Sequence, residues 1–262
     1  MKTFLLSLHS EYYKTRKTLA FWGAIILPLF LCSVVFVSYY FKADAILKKV
    51  GAAPPDAIWG QYAFMIIGVM GTLLLPMYLI FMTYSVNNIE HKADTWKSIF
   101  SLPIPKWSIY FSKVTYTILL VALSMVLFVA FTLGYGFLLN YLVPKYHLLD
   151  ANLTKVSKGI ATIYFKLFLS SLGIISIQFL MSLVWKDFLK PMGIGFVLFV
   201  TSIIILQWEY SYLLPFTHPV KAIMSTDINT LEILTKEVWV SFAYAAAFFT
   251  AGYFIVIKRS VK

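Results

Sequence analysis

The side chains that can do acid–base or metal chemistry in this sequence are eleven carboxylates and four histidines. A proton- or sodium-coupled carrier usually needs an ionisable or chelating group near the middle of the membrane, and an intramembrane protease needs a pair of carboxylates there. All eleven carboxylates lie outside the long apolar runs. Their positions argue against a secondary carrier and against an intramembrane enzyme. They are Glu11, Asp44, Asp56, Glu90, Asp94, Asp150, Asp187, Glu209, Asp227, Glu232 and Glu237.

Motifs that bind metals or nucleotides are absent from the sequence. His9, His91, His147 and His218 are far apart and have no partner at metal-ligand spacing. No two glycines have the Gly-x-x-x-x-Gly spacing of a P-loop, and neither Gly-x-Ser-x-Gly nor His-Glu-x-x-His occurs. The sequence therefore predicts a non-enzymatic chain that holds no cofactor or metal. If ATP drives this protein, ATP and Mg²⁺ bind to another chain.

Two strong polar side chains do fall inside apolar runs. Lys166 is about two helical turns from the outer end of the fourth predicted span, so its ammonium either snorkels to the headgroups or faces a cavity or partner subunit. Gln178 lies deeper in the same span, where its amide either packs against another helix or lines a path for cargo. The sequence leaves both alternatives open.

The composition explains why the sequence contains so few side chains that can do acid–base or metal chemistry. The chain has 262 residues, of which 60% are hydrophobic and 13% are charged, and its mean hydropathy is +0.81. A water-soluble domain needs more charge than this to cover its surface. Apolar runs of roughly 20 residues, enough to cross about 30 Å of hydrocarbon as a helix, recur along the chain. The predicted fold class is an all-α membrane protein.

Six transmembrane helices are predicted, within a single domain that covers residues 1–262. Residues 1–18 predict an amphipathic helix lying in the membrane interface, with a flexible basic leader as the alternative. The connection 208–236 is half apolar and predicts short broken helices that lie in or dip into the outer interface. The six spans are predicted at about 19–41, 61–86, 114–139, 159–185, 191–207 and 238–257.

The net charge of +11 indicates a membrane environment rather than a nucleic-acid partner. Most basic residues flank the predicted spans, where they set topology and meet the headgroups of anionic membrane lipid. With both termini inside, the inside segments carry 13 lysines and arginines and the outside loops carry 8. The positive-inside rule therefore predicts that both termini are cytoplasmic.

The longest predicted cytoplasmic connection, residues 87–113, carries the most specific pattern in the chain. Its apolar residues recur at helical spacing, and charged residues fall on the other faces. Pro103 and Pro105 then end any helix before the third span begins. The pattern predicts a short coupling helix on which a cytoplasmic partner can push or pull. The apolar residues are Ile89, Ala93, Trp96, Ile99 and Phe100.

Glu90 has two compatible interpretations within this connection. As a structural residue, it caps the start of the coupling helix, where negative charge meets the positive end of the helix dipole. As a functional residue, it contacts the partner that supplies energy.

An acid, a Thr-Trp-Lys triplet, a proline turn, a tyrosine and a Ser-Lys pair follow one another through this connection. These residues are Glu90, Thr95-Trp96-Lys97, Leu102-Pro103-Ile104-Pro105-Lys106, Tyr110 and Ser112-Lys113. Their order resembles the first cytoplasmic loop of type-2 ABC export permeases, most closely the lantibiotic-immunity and bacitracin-resistance branch. The pair Lys106-Trp107 departs mildly from the small or basic residue usual after the turn. The predicted layout resembles that family over the whole chain.

The resemblance implies a permease subunit in a bacterial cell membrane, paired with a second, like or homologous permease. It also implies a cytosolic ABC ATPase dimer as partner, which would bind ATP and Mg²⁺. The implied cargo is amphiphilic, such as a peptide antibiotic, a drug or a lipid-linked molecule, with antimicrobial peptide resistance as the biological role. The residues that would dock on the ATPase are Glu90, Thr95, Trp96, Lys97, Ile99 and Phe100.

A second class of function stays open at this stage. The chain would then be a membrane scaffold or sensor that binds a cytosolic protein through residues 87–113 without transporting anything. Efflux that depends on ATP after reconstitution would separate the exporter from this alternative. Ion conductance without ATP would indicate a channel instead.

Overall fold

Helices make up most of the computed structural model, which describes residues 2–51, 53–93, 95, 99, 103–226 and 232–258. A π-helical turn, Met70–Leu74, joins α4 to α5 without a break in the chain's helical path. The α-helices run α1 Lys2–Thr15, α2 Leu19–Phe41, α3 Ala43–Val50, α4 Pro55–Val69, α5 Leu75–Lys92, α6 Lys106–Leu142, α7 Leu153–Val184, α8 Leu189–Ile204, α9 His218–Met224 and α10 Lys236–Lys258.

Five helical stretches in the described residues are long and apolar enough to cross a membrane. They are α2, the continuous α4–α5 helix, α6, α7 and α10. The helix α8 is apolar but has 16 residues, which gives it a length of about 24 Å, short of the roughly 30 Å hydrocarbon core. The prediction of a multi-pass all-α membrane protein is therefore supported, and a sixth crossing at α8 stays a prediction.

The predicted ends of the spans agree with the structure at α2 and differ elsewhere. The segment 42–60 was expected to be a loop, but it contains α3, and α4 begins at Pro55. Proline fits the first turn of a helix, where its missing N–H has no partner to lose. The helix α6 begins at Lys106 rather than at residue 114. Its first two turns contain Ser108, Ser112 and Lys113, which are buried against neighbouring elements instead of facing water.

The helix α7 lies at the centre of the bundle and packs against α5, α6, α9 and α10. In its most apolar stretch, 72% of the residues are buried, against 33% for α2 and 17% for α10. The helix α2 packs mainly on α6, and α1 also lies against α6. The outer helices therefore expose most of their apolar surface, as expected for faces that meet lipid.

Residues 209–226, which we call the re-entrant segment, dip into the bundle. Pro215 packs near Gly173 in the middle of α7, and Ile223 packs against Gly71 in the π-helical turn. Backbone away from water needs internal hydrogen-bond partners. The hydroxyl of Thr217 donates to Ser211 O at 2.7 Å, and further side chains reach other carbonyls of the segment. The prediction of short broken helices agrees with the described part of this connection, which contains two short 3-10 turns and α9. Its position relative to the outer interface stays a prediction.

The two ends of the bundle differ in their contacts. At one end, which we call the charged end, Lys106 donates to the carbonyl of Ile257 at 3.0 Å, so the start of α6 meets the end of α10. The helix α1 and the last turn of α5 lie at this end as well. At the opposite end, the indole of Trp59 donates to the carbonyl of Leu148 at 2.8 Å, which ties α4 to the α6–α7 connection.

Candidate functional site

Four charged side chains from three helices form a closed ion cluster at the charged end. Lys113 Nζ lies 2.7 Å from Glu11 Oε2 and 2.7 Å from Glu90 Oε2. Lys14 Nζ lies 2.9 Å from Glu11 Oε1 and 3.1 Å from Glu90 Oε1. Each carboxylate thus contacts both ammonium groups. We call this arrangement of Glu11, Lys14, Glu90 and Lys113 the ion ring.

The ring depends on where each helix places its charge. Glu11 and Lys14 are three residues apart on α1, so they lie on the same face of that helix. Glu90 lies in the last turn of α5, where a negative charge meets the negative end of the helix dipole and needs cations nearby. Lys113 lies two turns into α6 and points between the other two helices. The cations of α1 and α6 therefore compensate the unfavourable position of Glu90.

Burial makes the ring a strong constraint on the three helices. Glu90 and Lys113 are each 1% exposed and Glu11 is 2% exposed, so an unpaired charge here would be costly. The ring as a whole carries two positive and two negative charges and is neutral. Lys14 is its solvent-facing member, with a side chain that is 32% exposed. Burial disfavours its charged form, but the carboxylates of Glu11 and Glu90 outweigh burial and raise the pKa of Lys14.

Further contacts hold α1 on the start of α6. The rings of Phe4 and Trp107 stack, Ser7 Oγ lies 3.3 Å from Ser108 Oγ, and the hydroxyl of Thr15 donates to the hydroxyl oxygen of Tyr116. These contacts run along the whole of α1. The helix therefore behaves as one body with the first turns of α6, and the ring joins that body to α5.

The last two turns of α5 are also bonded to the end of α7. The amide of Asn87 donates to Ser182 Oγ at 2.8 Å, and His91 Nε2 donates to the carbonyl oxygen of Ser182 at 2.9 Å. Both side chains are buried, with Asn87 0% and His91 8% exposed. The end of α5 is thus held from one side by α7 and from the other by the ion ring.

The connection between α5 and α6 is shorter than predicted, because α5 continues to Lys92 and α6 begins at Lys106. Thr95 N donates to the carbonyl oxygen of Glu90 at 3.1 Å, and Ile99 N donates to that of Thr95 at 2.9 Å. The predicted docking residues Trp96, Lys97 and Phe100 lie outside the described residues. We refer to residues 93–105 as the coupling segment.

The position expected for Glu90 was wrong. It does not cap the start of a separate coupling helix, because it lies at the C-terminal end of α5. Its carboxylate turns into the ion ring, while its backbone carbonyl accepts the hydrogen bond from Thr95. Glu90 therefore bonds both to the coupling segment and to the ion ring, so a single residue links the two. A direct contact between Glu90 and an ATPase stays a prediction.

Lys166 lies in α7 and is 1% exposed. Its ammonium donates to Ser225 Oγ at 3.0 Å and to Thr226 Oγ1 at 3.2 Å. Two hydroxyls of the re-entrant segment thus hold the ammonium, and its position relative to the lipid headgroups stays a prediction. The contact is one of packing between α7 and that segment, and a role in a cargo path stays a prediction.

Gln178, also in α7, is 1% exposed and lies beside α8. A Cβ on Gly195 would overlap the amide nitrogen of Gln178, so the two helices approach closely at this point. Among the described residues, neither the oxygen nor the nitrogen of its amide has a hydrogen-bond partner. The position favours interhelical packing, and a role in a cargo path again stays a prediction.

Sequence reasoning missed three members of the ring: Glu11, Lys14 and Lys113. In the sequence, Lys14 is one of several basic residues that precede the first span, and Lys113 is part of the loop motif. One feature of the sequence points to two of them. Glu11 and Lys14 are three residues apart on an amphipathic helix, so they lie on one face and can contact the same partner. The sequence could not show that the partners lie on α5 and α6.

The bundle, its five candidate spans and its buried polar contacts define a multi-pass α-helical membrane protein. A family model described as ABC-2 family transporter protein matches residues 7–202, which are 196 of the 262 residues. The chain therefore belongs to the ABC-2 transporter family and is an ABC transporter permease. Permeases of this family generally work with a separate ATPase and are not themselves catalytic. No curated protein and no solved structure matches the chain significantly.

Proposed function

We propose that the chain is the permease subunit of an ABC exporter that moves an amphiphilic cargo out of a bacterial cell membrane. Family membership and the lack of a P-loop in the sequence support a permease driven by a separate ATPase. The observation that carries the proposal is the bond from the coupling segment to Glu90, and from Glu90 to the ion ring. Through these bonds, a movement of the coupling segment can be passed to α5, α1 and α6.

In this proposal the charged end faces the cytoplasm, in agreement with the positive-inside rule. The coupling segment docks on the ATPase through Thr95, Trp96, Lys97, Ile99 and Phe100. Glu90 contributes from inside, because its paired carboxylate fixes the end of α5 from which the segment extends. The docking surface and its anchor are thus separate parts of one short stretch of chain.

The ion ring can transmit movement of the coupling segment to the helices because its charges are buried and paired. Movement of the coupling segment displaces the last turn of α5, and the paired charges oblige α1 and α6 to follow, since separating them would leave charge buried and unpaired. The hydrogen bonds from Asn87 and His91 to Ser182 pass the same movement to α7. ATP binding and hydrolysis in the partner would in this way tilt the helices that surround the cargo.

The cargo class rests on the family resemblance and on the surface of the bundle. Large apolar side chains are exposed along the outer helices, and a molecule taken up from the lipid phase meets such surfaces first. A peptide antibiotic, a drug or a lipid-like molecule fits this description. A second permease, identical or homologous, completes the transporter in the proposal.

Docking is tested by purifying the tagged chain from its native membranes and detecting a P-loop ATPase in the eluate. Trp96→Ala and Ile99→Ala should each reduce the recovered ATPase while leaving membrane insertion intact. Trp239→Ala, which removes an indole that is 59% exposed on α10, is the matched control and should recover the wild-type amount. Full recovery with Trp96→Ala and Ile99→Ala would refute docking by this segment, and ATP-independent pumping by the chain alone would refute the proposal.

A further inference from the structure

A groove of about 950 Å³ runs between α2 and α5 at the charged end of the bundle. Its α2 wall is short and made of small or slender residues, including Ala20, Gly23 and Leu27. Phe188, from the α7–α8 connection, closes one side. Because α2 presents Ala20 and Gly23 here, its backbone leaves room that larger side chains would fill. The groove belongs neither to the ion ring nor to the coupling segment.

The α5 wall of the groove is a continuous stripe along one helical face. Met77, Phe81, Ser85, Asn88 and Lys92 follow one another at spacings of three or four residues and all line it. From Met77 to Lys92 the stripe is about 22 Å long at 1.5 Å per residue. That length exceeds half of a roughly 30 Å hydrocarbon core, so the groove is long enough to run from a headgroup region through one leaflet.

The lining changes from apolar to cationic along this length. The deep part is lined by Leu27, Leu74 and Met77, and the mouth is lined by Lys17 and Lys92. Both lysines are exposed, and within the described residues no carboxylate lies in ion-pair contact with either of them.

Between the two zones lie groups that can hydrogen-bond. The hydroxyl of Tyr84 donates to Asn88 Oδ1 at 2.8 Å, which leaves the amide N–H₂ of Asn88 directed elsewhere as a donor. The hydroxyl of Ser85 also lines this part. A ligand that matches the whole groove therefore has an apolar chain, a polar linkage and an anionic group, in that order.

We infer that the groove binds an anionic phospholipid of the leaflet at the charged end. Its acyl chain would lie between α2 and α5 with its end near Leu27 and Leu74, and its phosphate would lie between Lys17 and Lys92. Basic pockets between transmembrane helices bind anionic headgroups in this way. The inference does not depend on the proposed export function, because a resident lipid at this site needs no ATPase.

Charge favours a lipid over a second copy of the chain as occupant. A twofold-related copy seated on this groove would bring its own Lys17 and Lys92 towards the same two lysines, and like charges close together are destabilising. A zwitterionic lipid fills the apolar part equally well but brings no net charge to the mouth. Only an anionic amphiphile complements both zones.

The test is native mass spectrometry of the purified full chain, delipidated and then titrated with phosphatidylglycerol or with phosphatidylcholine of the same acyl chains. Phosphatidylglycerol should bind more tightly than phosphatidylcholine. The paired change Lys17→Gln with Lys92→Gln should raise the Kd for phosphatidylglycerol about thirtyfold, because it removes two lysines near the anionic group. The matched control is Lys155→Gln with Lys158→Gln, two exposed lysines at the opposite end, which should leave binding unchanged.

A second variant probes the apolar part. Gly23→Leu places a side chain in the groove, where even a Cβ would contact the Tyr78 ring at 3.7 Å, and it should reduce the binding of both lipids. The buried thiol of Cys32, the sole cysteine, should stay unreactive in every variant that remains folded. Equal affinity for the two lipids, or no loss in the Lys17 and Lys92 variant, would overturn the inference. Cross-linking of two copies through Phe81→Cys, regardless of lipid, would also overturn it.

Discussion

Lys113 Nζ lies 2.7 Å from Glu90 Oε2, with both residues 1% exposed, and so joins the start of α6 to the end of α5 inside the protein. The same ammonium lies 2.7 Å from Glu11 on α1. The two helix ends that flank the coupling segment are therefore bonded to each other as well as to α1. A force on that segment therefore acts on three helices that are bonded together rather than on two independent helices.

Lys113→Met should destabilise the protein, because two buried carboxylates would then share the one remaining ammonium of Lys14. Breaking a buried pair by removing one partner typically costs about 3–5 kcal/mol. The measurement is thermal unfolding in detergent, followed by the reaction of the buried Cys32 thiol with a fluorogenic maleimide. Lys158→Met, at an exposed position, should unfold at the wild-type temperature.

Adding Glu90→Gln to Lys113→Met should recover part of the lost stability. The pair of changes removes one charge of each sign and leaves Glu11 and Lys14 to pair with each other. The two changes should therefore cost less together than the sum of their separate effects. Strict additivity in this double-mutant cycle would show that the ring does not act as a unit.

The stability of the re-entrant segment should depend on pH through His218. This ring is 0% exposed, and its Nε2 donates to the carbonyl oxygen of Tyr212 at 2.7 Å. Burial lowers the pKa of His218 below its usual 6.5, while the bond to Tyr212 opposes that change and nearby Glu237 and Lys221 have smaller and opposite effects. A lowered pKa means that the unfolded chain binds the proton first, so stability is complete above about pH 6.5 and falls as the pH drops towards the lowered value.

The measurement for His218 is the unfolding temperature from tryptophan fluorescence, taken between about pH 8 and pH 5. His218→Gln keeps a donor for the Tyr212 carbonyl but does not titrate, so it should flatten the pH dependence. His147→Gln, at an exposed histidine, should leave the dependence as in the wild type. An unchanged profile in His218→Gln would assign the pH dependence to other groups.

The sequence predicted the fold class and the first span well, because those depend on composition and on runs of apolar residues. The bounds of α2, Leu19–Phe41, match the prediction. Around the coupling segment the helices are longer than the predicted spans, because α5 continues to Lys92 and α6 begins at Lys106. Glu90 and Lys113 are charged but paired, and pairing lets a helix continue where hydropathy alone would end it.

The candidate site could be predicted only in part. The loop motif contains Glu90 and Lys113 but does not show that they pair. Glu11 is 102 residues from Lys113 in the chain, and no periodicity links positions that far apart. An acid that faces water and an acid that faces a buried ammonium have the same sequence pattern. The hydroxyl partners of Lys166 in the re-entrant segment were hidden for the same reason.

Gly136 in α6 should not tolerate a side chain, because a Cβ at this position would overlap the indole ring of Trp59. That indole is 0% exposed and is held by its bond to the Leu148 carbonyl, so it cannot move aside cheaply. Overpacking of this kind costs about 1–3 kcal/mol. Gly136→Ala should therefore lower the unfolding temperature. Gly134→Ala, in the same helix with nothing within 4 Å of its added Cβ, should be neutral or stabilising, since alanine favours helix.

Glu11→Gln should weaken transmission without weakening docking, if the ring couples the coupling segment to α1 and α6 as proposed. The amide keeps an acceptor for Lys113 but removes the charge, and Glu11 is 2% exposed, so its side chain offers a partner almost no contact surface. The recovered amount of ATPase in copurification should match the wild type. The stimulation of ATP hydrolysis by the permease, and ATP-dependent efflux, should both fall.

The control for Glu11→Gln is Asp44→Gln, since Asp44 pairs with Lys145 on the exposed surface at the opposite end, where an ion pair contributes little. This variant should keep both ATPase recovery and stimulation. If Glu11→Gln lost ATPase recovery along with stimulation, the ring would be shaping the docking surface rather than transmitting its movement. If Glu11→Gln changed neither, α1 would take no part in coupling, and the bonds of Asn87 and His91 to Ser182 would be the remaining route from α5 into the bundle.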